Sequence, residues 1–193
     1  MRRWVVGLVV VLVVGGCGVP TQESPVEIRP EALPSRLRET ALPREVSPQT
    51  PGPGLVSVVV NFVRKDRLVR SVREVPNGPA EDRLAAIVAA LVAGPTERER
   101  ASGISSALPA GLQLTVTTLD GNRAVIGLVG ETGGSAAENV LAVGQIVLSA
   151  TAIPTVKEVT FERDGLPVEA LLADGALTTN PLTAADYAAL RAG

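Results

Sequence analysis

"ALVAGPTERERASGISSALPAG", residues 90–111, is the stretch that decides how this chain is read. It is either an active-site loop or a connection between a helix and a strand. Leu84, Ile87, Val88 and Leu91 lead into it at the i, i+3, i+4, i+7 spacing of one helical face. Gly94 fits the position just past such a helix, and Pro95 prevents its continuation. Thr96 with Glu99 three residues on is a capping box, predicting a further helix of one or two turns through Ala101. Gly103 can take the positive φ that ends it. Ser105-Ser106 carries the chain around, and Leu108-Pro109 leads through Gly111 to a strand. The segment reads as structural punctuation.

Upstream, Leu55 to Val63 is β-branched and short, a buried strand. After a polar turn, Leu68 to Val75 is its more polar hairpin partner and a candidate sheet edge. There Arg70 and Arg73 are expected to discourage pairing with other chains. Pro79 fits the first position of the next helix, and Glu81 and Asp82 suit the positive end of its dipole.

Downstream, Leu112 to Leu119 alternates with period two, Asp120-Gly121-Asn122 signals a hairpin, and Arg123 to Val129 returns. Ser135 and Glu138 form another capping box. The helix behind it carries Val140, Val143, Val147 and Ala150 on one face, and Pro154 bounds it. Val156 to Arg163 is a strand with Val159 and Phe161 facing the core. Leu166 to Leu172 is a short last strand. Thr183 and Asp186 are expected to cap a short C-terminal helix through Tyr187 and Leu190, with the Tyr187 ring in the core and its hydroxyl at the surface. The order β-β-α-β-β-α-β-β predicts an α+β fold, a mostly antiparallel sheet with two main helices packed on one face. Its other face should be partly polar or covered by the C-terminal segment.

The N-terminus reads separately. Met1-Arg2-Arg3 is basic, Trp4 to Val14 is apolar and too short to span a bilayer comfortably, and small residues follow. Val14-Gly15-Gly16-Cys17 resembles a bacterial lipobox, although Gly15 stands where Ala, Ser or Thr is commoner. The resemblance implies cleavage after Gly16 and lipidation of Cys17; the alternative is an ordinary signal peptide or signal anchor with an incidental cysteine. Residues 1–16 are then the signal peptide. Residues 17–54 hold the lipidated Cys17 and a tether with prolines at 20, 25, 30, 34, 43, 48, 51 and 53. Residues 55–193 are a single domain, large enough to bury about 70% of its unfolded surface.

Composition narrows the chemistry. The chain has no histidine and one cysteine, so the commonest general base and metal ligands are missing. Net charge is −2 with signs interspersed, and no basic patch argues for nucleic acid. Ser105 and Ser106 are the candidate nucleophiles, but a partner base would have to be Lys65 or Lys157. Glu97 and Glu99 are a candidate carboxylate pair, yet both fall in a helix's first turn, where acids are expected anyway. No calcium-type acidic loop and no phosphate loop is present. No catalytic, cofactor or metal residues are assigned, and no cofactor is expected.

The segment also resembles the hallmark of the GerMN domain, a family named from spore-germination and sporulation proteins. The matching residues are Leu91, Gly94, Pro95, Thr96, Glu99, Gly103, Leu108, Pro109 and Gly111. Gln145 matches a glutamine near the middle of the family's second helix. Asp164-Gly165, Pro167-Val168 and Asp186-Tyr187 match its later motifs. Ile126-Gly127-Leu128-Val129 departs from the family's Val-Asp-Leu-Ser. The resemblance covers roughly residues 60–190. It implies a non-catalytic envelope module, here a lipoprotein anchored on the extracytoplasmic face of the cell membrane. Such a module would bind unidentified envelope proteins. The alternative is a small-ligand or lipid carrier, which would need a sizeable apolar cavity between helices and sheet.

Overall fold

The computed structural model describes residues 54–192. The signal segment, Cys17 and the tether up to residue 53 lie outside them. The chain opens with a hairpin, β1 (Leu55–Arg64) and β2 (Arg67–Pro76), in register over its full length. Lys65 and Asp66 form its two-residue turn, both at positive φ (51° and 57°), the conformation whose twist suits a tight hairpin. Helix α1 (Ala80–Ala93) follows, then the short α2 (Glu97–Ala101). Strands β3 (Gln113–Asp120) and β4 (Arg123–Val129) form the second hairpin, and α3 (Ala136–Ala150) carries the chain to β5 (Glu158–Arg163). Three two-residue strands close the fold: β6 (Leu166–Pro167), β7 (Ala170–Leu171) and β8 (Leu177–Thr178).

The α+β class and the mostly antiparallel pairing are as the sequence predicts. The strands divide, however, into three ladders: β1-β2, β3-β4-β5-β6 and β7-β8. The first ladder stands apart because the free edge of β1 is occupied by a serine side chain and a loop instead of another strand. Within the second, β4 pairs with β5 in parallel, because the α3 crossover returns the chain to the same end of the sheet.

The core fills the space under the two main helices, which touch each other. Leu84, Ile87, Val88 and Leu91 of α1 are buried, the four residues the periodicity selects. Helix α1 lies against β3 and β1, and α3 lies mainly against β1 and also touches β5. There they cover the sheet face that carries Leu114, Ala124, Ile126, Val159 and Phe161. The opposite face is polar, with Thr115, Thr117, Thr118 and Arg123 exposed. Gly127, where the family motif has Asp, lies on that face. A Cβ there would stand 2.6 Å from Thr115 Oγ1, so the neighbouring strand has filled the space.

Four details differ from expectation. Pro79 is the residue before α1, not its first, with extended ψ of 159°. Helix α3 is buried beyond one stripe, all of Gly144 to Ala150, while Val143 is only half-buried. Its second half is enclosed by the first hairpin and the C-terminal segment: a Cβ on Gly144 would meet Tyr187, Leu68 and Leu190 at 3.0–3.2 Å. The segment Leu166–Leu172 splits into β6 and β7. The C-terminal helix does not form as an α-helix. Asp186 does accept from the Thr183 N–H (2.7 Å) and hydroxyl (2.8 Å), but the turns that follow are i→i+3, ending in a 3₁₀ helix at Ala188–Leu190. Tyr187 is wholly buried against α3, and its hydroxyl donates inward to the Leu171 carbonyl (2.7 Å), not to the surface. Burial raises the phenol well above its usual range.

Candidate functional site

Residues 94–111 cross the molecule from the end of α1 to the start of β3, and each turn is held by a bond the sequence anticipates. Gly94 has φ 77° and donates to the Ala90 and Leu91 carbonyls, closing α1. Pro95 is buried. Thr96 caps α2 reciprocally: the Glu99 N–H reaches Thr96 Oγ1 (3.3 Å), and the Thr96 N–H reaches Glu99 Oε2 (2.7 Å). Gly103 has φ 80° and ends the helix, and the Leu112 N–H then closes a turn on the Pro109 carbonyl (3.2 Å).

Three attachments fix this segment to the body. The Glu99 carboxylate takes both Arg73 guanidinium nitrogens, Oε1 at 2.9 Å and Oε2 at 2.6 Å, and both side chains are 19% exposed. The Arg73 guanidinium lies 5.2 Å from the Phe62 ring centre, and its Nη1 also donates to the Val72 carbonyl (3.0 Å). The Arg73 bonds outweigh partial burial, and with the Thr96 donors they hold the Glu99 carboxyl at a pKa of about 2.

Next, Ser105 pairs with Val63 through two 2.8 Å backbone bonds, which continue the free edge of β1. Finally, the wholly buried Gln145 of α3 reads the loop. Its Oε1 accepts from the Ala107 N–H (2.9 Å), and its Nε2 donates to Ser106 Oγ (3.0 Å). One turn on, Ser149 Oγ donates to the Gln145 carbonyl (2.6 Å) and accepts the Asn61 N–H of β1 (2.8 Å). Helix α3 thus joins the loop and the first strand through one buried polar chain.

The candidate nucleophiles are accounted for by this framework. Ser106 Oγ accepts from Gln145 and from the Leu108 N–H (3.2 Å). Ser105 is exposed, with its backbone committed to β1. Lys65 sits in the first hairpin turn, while the Lys157 N–H bonds the Asn122 carbonyl beside β5. Glu97 is exposed while Glu99 is bound to Arg73, so the two carboxylates do not share a site. Among the described residues, no three His, Cys, Asp or Glu side chains converge, and no helix is long and apolar enough to cross a membrane. The roles of Arg73, Asn61 and Ser149 were missed. Asn61 amid the valines of β1, and a glutamine and serine four apart on an apolar helix, are the signals that mark buried polar groups.

The loop borders two depressions. One, of about 450 Å³, is lined by Asp66, Ser105, Ala110, Gly134 and Glu138 among others. The other, an apolar cleft of about 200 Å³, lies between Pro109, Leu128, Val143, Ile146 and Leu177. A third, of about 330 Å³, includes Arg123, Thr160, Glu162 and Asn180.

Residues 46–169 match the family model Germane, described as sporulation and spore germination. The tandem GerMN domains of the sporulation protein GerM from Bacillus subtilis are similar in fold. The TM-score is 0.53 at 17% identity, over 72% of this chain and 49% of that one. This chain therefore spans about half the length of that structure. The first GerMN domain of the same protein gives a TM-score of 0.51 at 14% identity, over 66% of this chain and 97% of the domain. No curated protein matches the sequence.

Proposed function

The chain belongs to the Germane family of sporulation and spore germination, the GerMN type, and from that premise we propose that it is a lipid-anchored interaction module of the cell envelope. Cys17 carries the anchor, the proline-rich tether spaces the domain from the membrane, and the domain presents a rigid surface to envelope proteins without doing chemistry. The observation that carries this reading is the fate of the polar groups in residues 94–111. Glu99 and Ser106, two of the four side chains weighed for chemistry, are spent with Thr96 on holding the loop in one shape. A loop held in place by buried bonds loses little entropy on binding, which suits recognition.

The carrier reading calls for an apolar cavity of about 300–1,000 Å³. The cleft between α3 and the sheet reaches about 200 Å³, and the two larger depressions mix apolar residues such as Val125, Phe161, Leu108 and Leu141 with Arg123, Glu162, Asp66 and Glu138. None of the three is an enclosed apolar cavity, which favours the interaction reading.

Two measurements test it. The mature protein should weigh residues 17–193 plus a diacylglyceryl group, and Cys17→Ala should release it from membranes. A photoreactive residue in place of the exposed Ala110, beside the loop, should crosslink an envelope protein in intact cells. Crosslinks to lipid alone would favour the carrier. A mature chain without lipid would overturn the anchor.

A further inference from the structure

Of the long edge strands, β1 is covered in part by Ser149 and Ser105, which leaves β2 and β3. β3 carries a bulge at Thr117, which twists the edge and hinders pairing. β2 does not: its ten residues run in unbroken register with β1. The direction of its backbone groups follows from two bonds. The Ala192 N–H donates to the Leu68 carbonyl from outside the hairpin (2.9 Å). Asn61, the cross-strand partner of Arg70, sends its N–H away from β2 to Ser149. Outward and inward groups alternate along an antiparallel strand, so Arg70, Val72 and Glu74 also point their N–H and C=O outward. Among the described residues, no backbone group pairs with them. Only the Val72 carbonyl has a partner, Arg73 Nη1 (3.0 Å), which leaves its second lone pair.

The side chains of the same three residues are exposed, Val72 by 61%. With Arg73 bound to Glu99, the free side chains along the edge are one cation, one apolar residue and one anion in the order Arg70, Val72, Glu74. The usable run has two natural ends. Leu68 is already taken by the C-terminal segment, and Pro76 has no N–H. Val72 lies midway between them.

We infer that this edge pairs with the same edge of a second copy of the chain, antiparallel about a two-fold axis at Val72. In that register Val72 meets Val72 of the second copy. Each Arg70 then lies opposite a Glu74, so the charges are complementary on both sides of the axis. The outward residues exchange their N–H···O bonds in facing pairs, as in a continuous sheet. An isologous contact of this kind closes on itself and does not propagate to fibres. The inference is independent of the lipid anchor and of any envelope partner.

The test uses the full chain with Cys17→Ser, so that an introduced thiol is the only one. Residues facing each other as a hydrogen-bonded antiparallel pair stand about 5.5 Å apart at Cα, within disulfide reach. Val72→Cys should therefore give a disulfide-linked dimer under mild oxidation with diamide. In sedimentation equilibrium, Arg70→Glu alone and Glu74→Arg alone should each weaken self-association by about tenfold, since two pairs become like-charged. The double exchange should restore it to within a few fold. Circular dichroism and melting should be unchanged throughout, because these side chains are exposed. A chain that sediments as a monomer overturns the inference, whether its edge is empty, covered by its own first 53 residues or bound by a different protein. Failure of Val72→Cys to crosslink, or of the double exchange to rescue, overturns it as well.

Discussion

Among the described residues, two helices open on capping boxes of nearly identical geometry. Thr96 and Glu99 open α2; Ser135 and Glu138 open α3. In each, the N3 N–H reaches the cap hydroxyl at 3.3 Å, and the cap N–H reaches the N3 carboxylate at 2.7 Å. Beyond the box they diverge. Glu138 is exposed, and its carboxyl is lowered only by the Ser135 donors. Glu99 is mostly enclosed and also binds Arg73 at two points, tying α2 to β2 over Phe62. One local motif thus serves as a helix start in one place and as a tertiary clamp in the other. The helix behind the simpler box carries its own clamp further along, at Gln145.

Four substitutions and a pH series can break or sharpen this contrast. The largest effect is expected outside both boxes. Gln145→Leu leaves the Ala107 N–H and Ser106 without their buried partner and should cost about 3 kcal/mol in urea unfolding. A loss below 1 kcal/mol would mean that the box alone holds the segment. Glu99→Gln keeps a box-competent side chain but breaks the charge pair with Arg73, and should cost about 2 kcal/mol. Glu138→Gln should leave the melting curve unmoved. Equal losses at the two sites would dissolve the distinction between them.

Acid should reveal the same asymmetry. The folded Glu99 carboxyl is depressed to about 2 from 4.5. Its contribution is therefore fully present above about pH 4.5 and is lost as pH falls toward 2. The Glu99→Gln variant should show a flatter stability profile across that window. A profile parallel to that of the unaltered chain would refute the clamp. Gly144→Ala tests the enclosure of α3. Helix propensity alone predicts a gain of about 1 kcal/mol, whereas the methyl would stand 3.0–3.2 Å from Tyr187, Leu68 and Leu190 and force them to shift, so a loss of about 1–2 kcal/mol is expected. A gain would show that the C-terminal segment yields easily.

Much of the fold was legible because it is locally encoded. The face Leu84, Ile87, Val88, Leu91, the glycine at 94, both boxes and the turn at Gly121 each need only neighbours within four residues to be recognised. What escaped the sequence shares a cause. The Arg73 clamp on Glu99 was hidden because its partner lies 26 residues away. Tyr187 looked like a surface hydroxyl because the Leu171 carbonyl that receives it is distant in sequence. At Thr183 only half of a box forms, since the Asp186 N–H goes to the Thr183 carbonyl and not to its hydroxyl, and the buried Tyr187 ring packs against Gly144 in place of an α-helix.

For the candidate site the division is similar. Gly94, Pro95, Thr96, Glu99, Gly103 and Pro109 occupy the turns their chemistry suggests, so the sequence by itself determined the shape of the segment. Conformational preferences and caps act within a turn or two, and a reader of the chain has all the atoms involved in view. The tertiary structure alone decided what that segment is attached to. Gln145 under the loop, Arg73 on Glu99 and Ser105 on the edge of β1 are pairings between distant positions. They are selected because a buried donor or acceptor left unpaired costs more than the ordering of its partner. The same long-range logic bound Arg73 to Glu99 and left the Arg70, Val72 and Glu74 side chains free along the edge of β2.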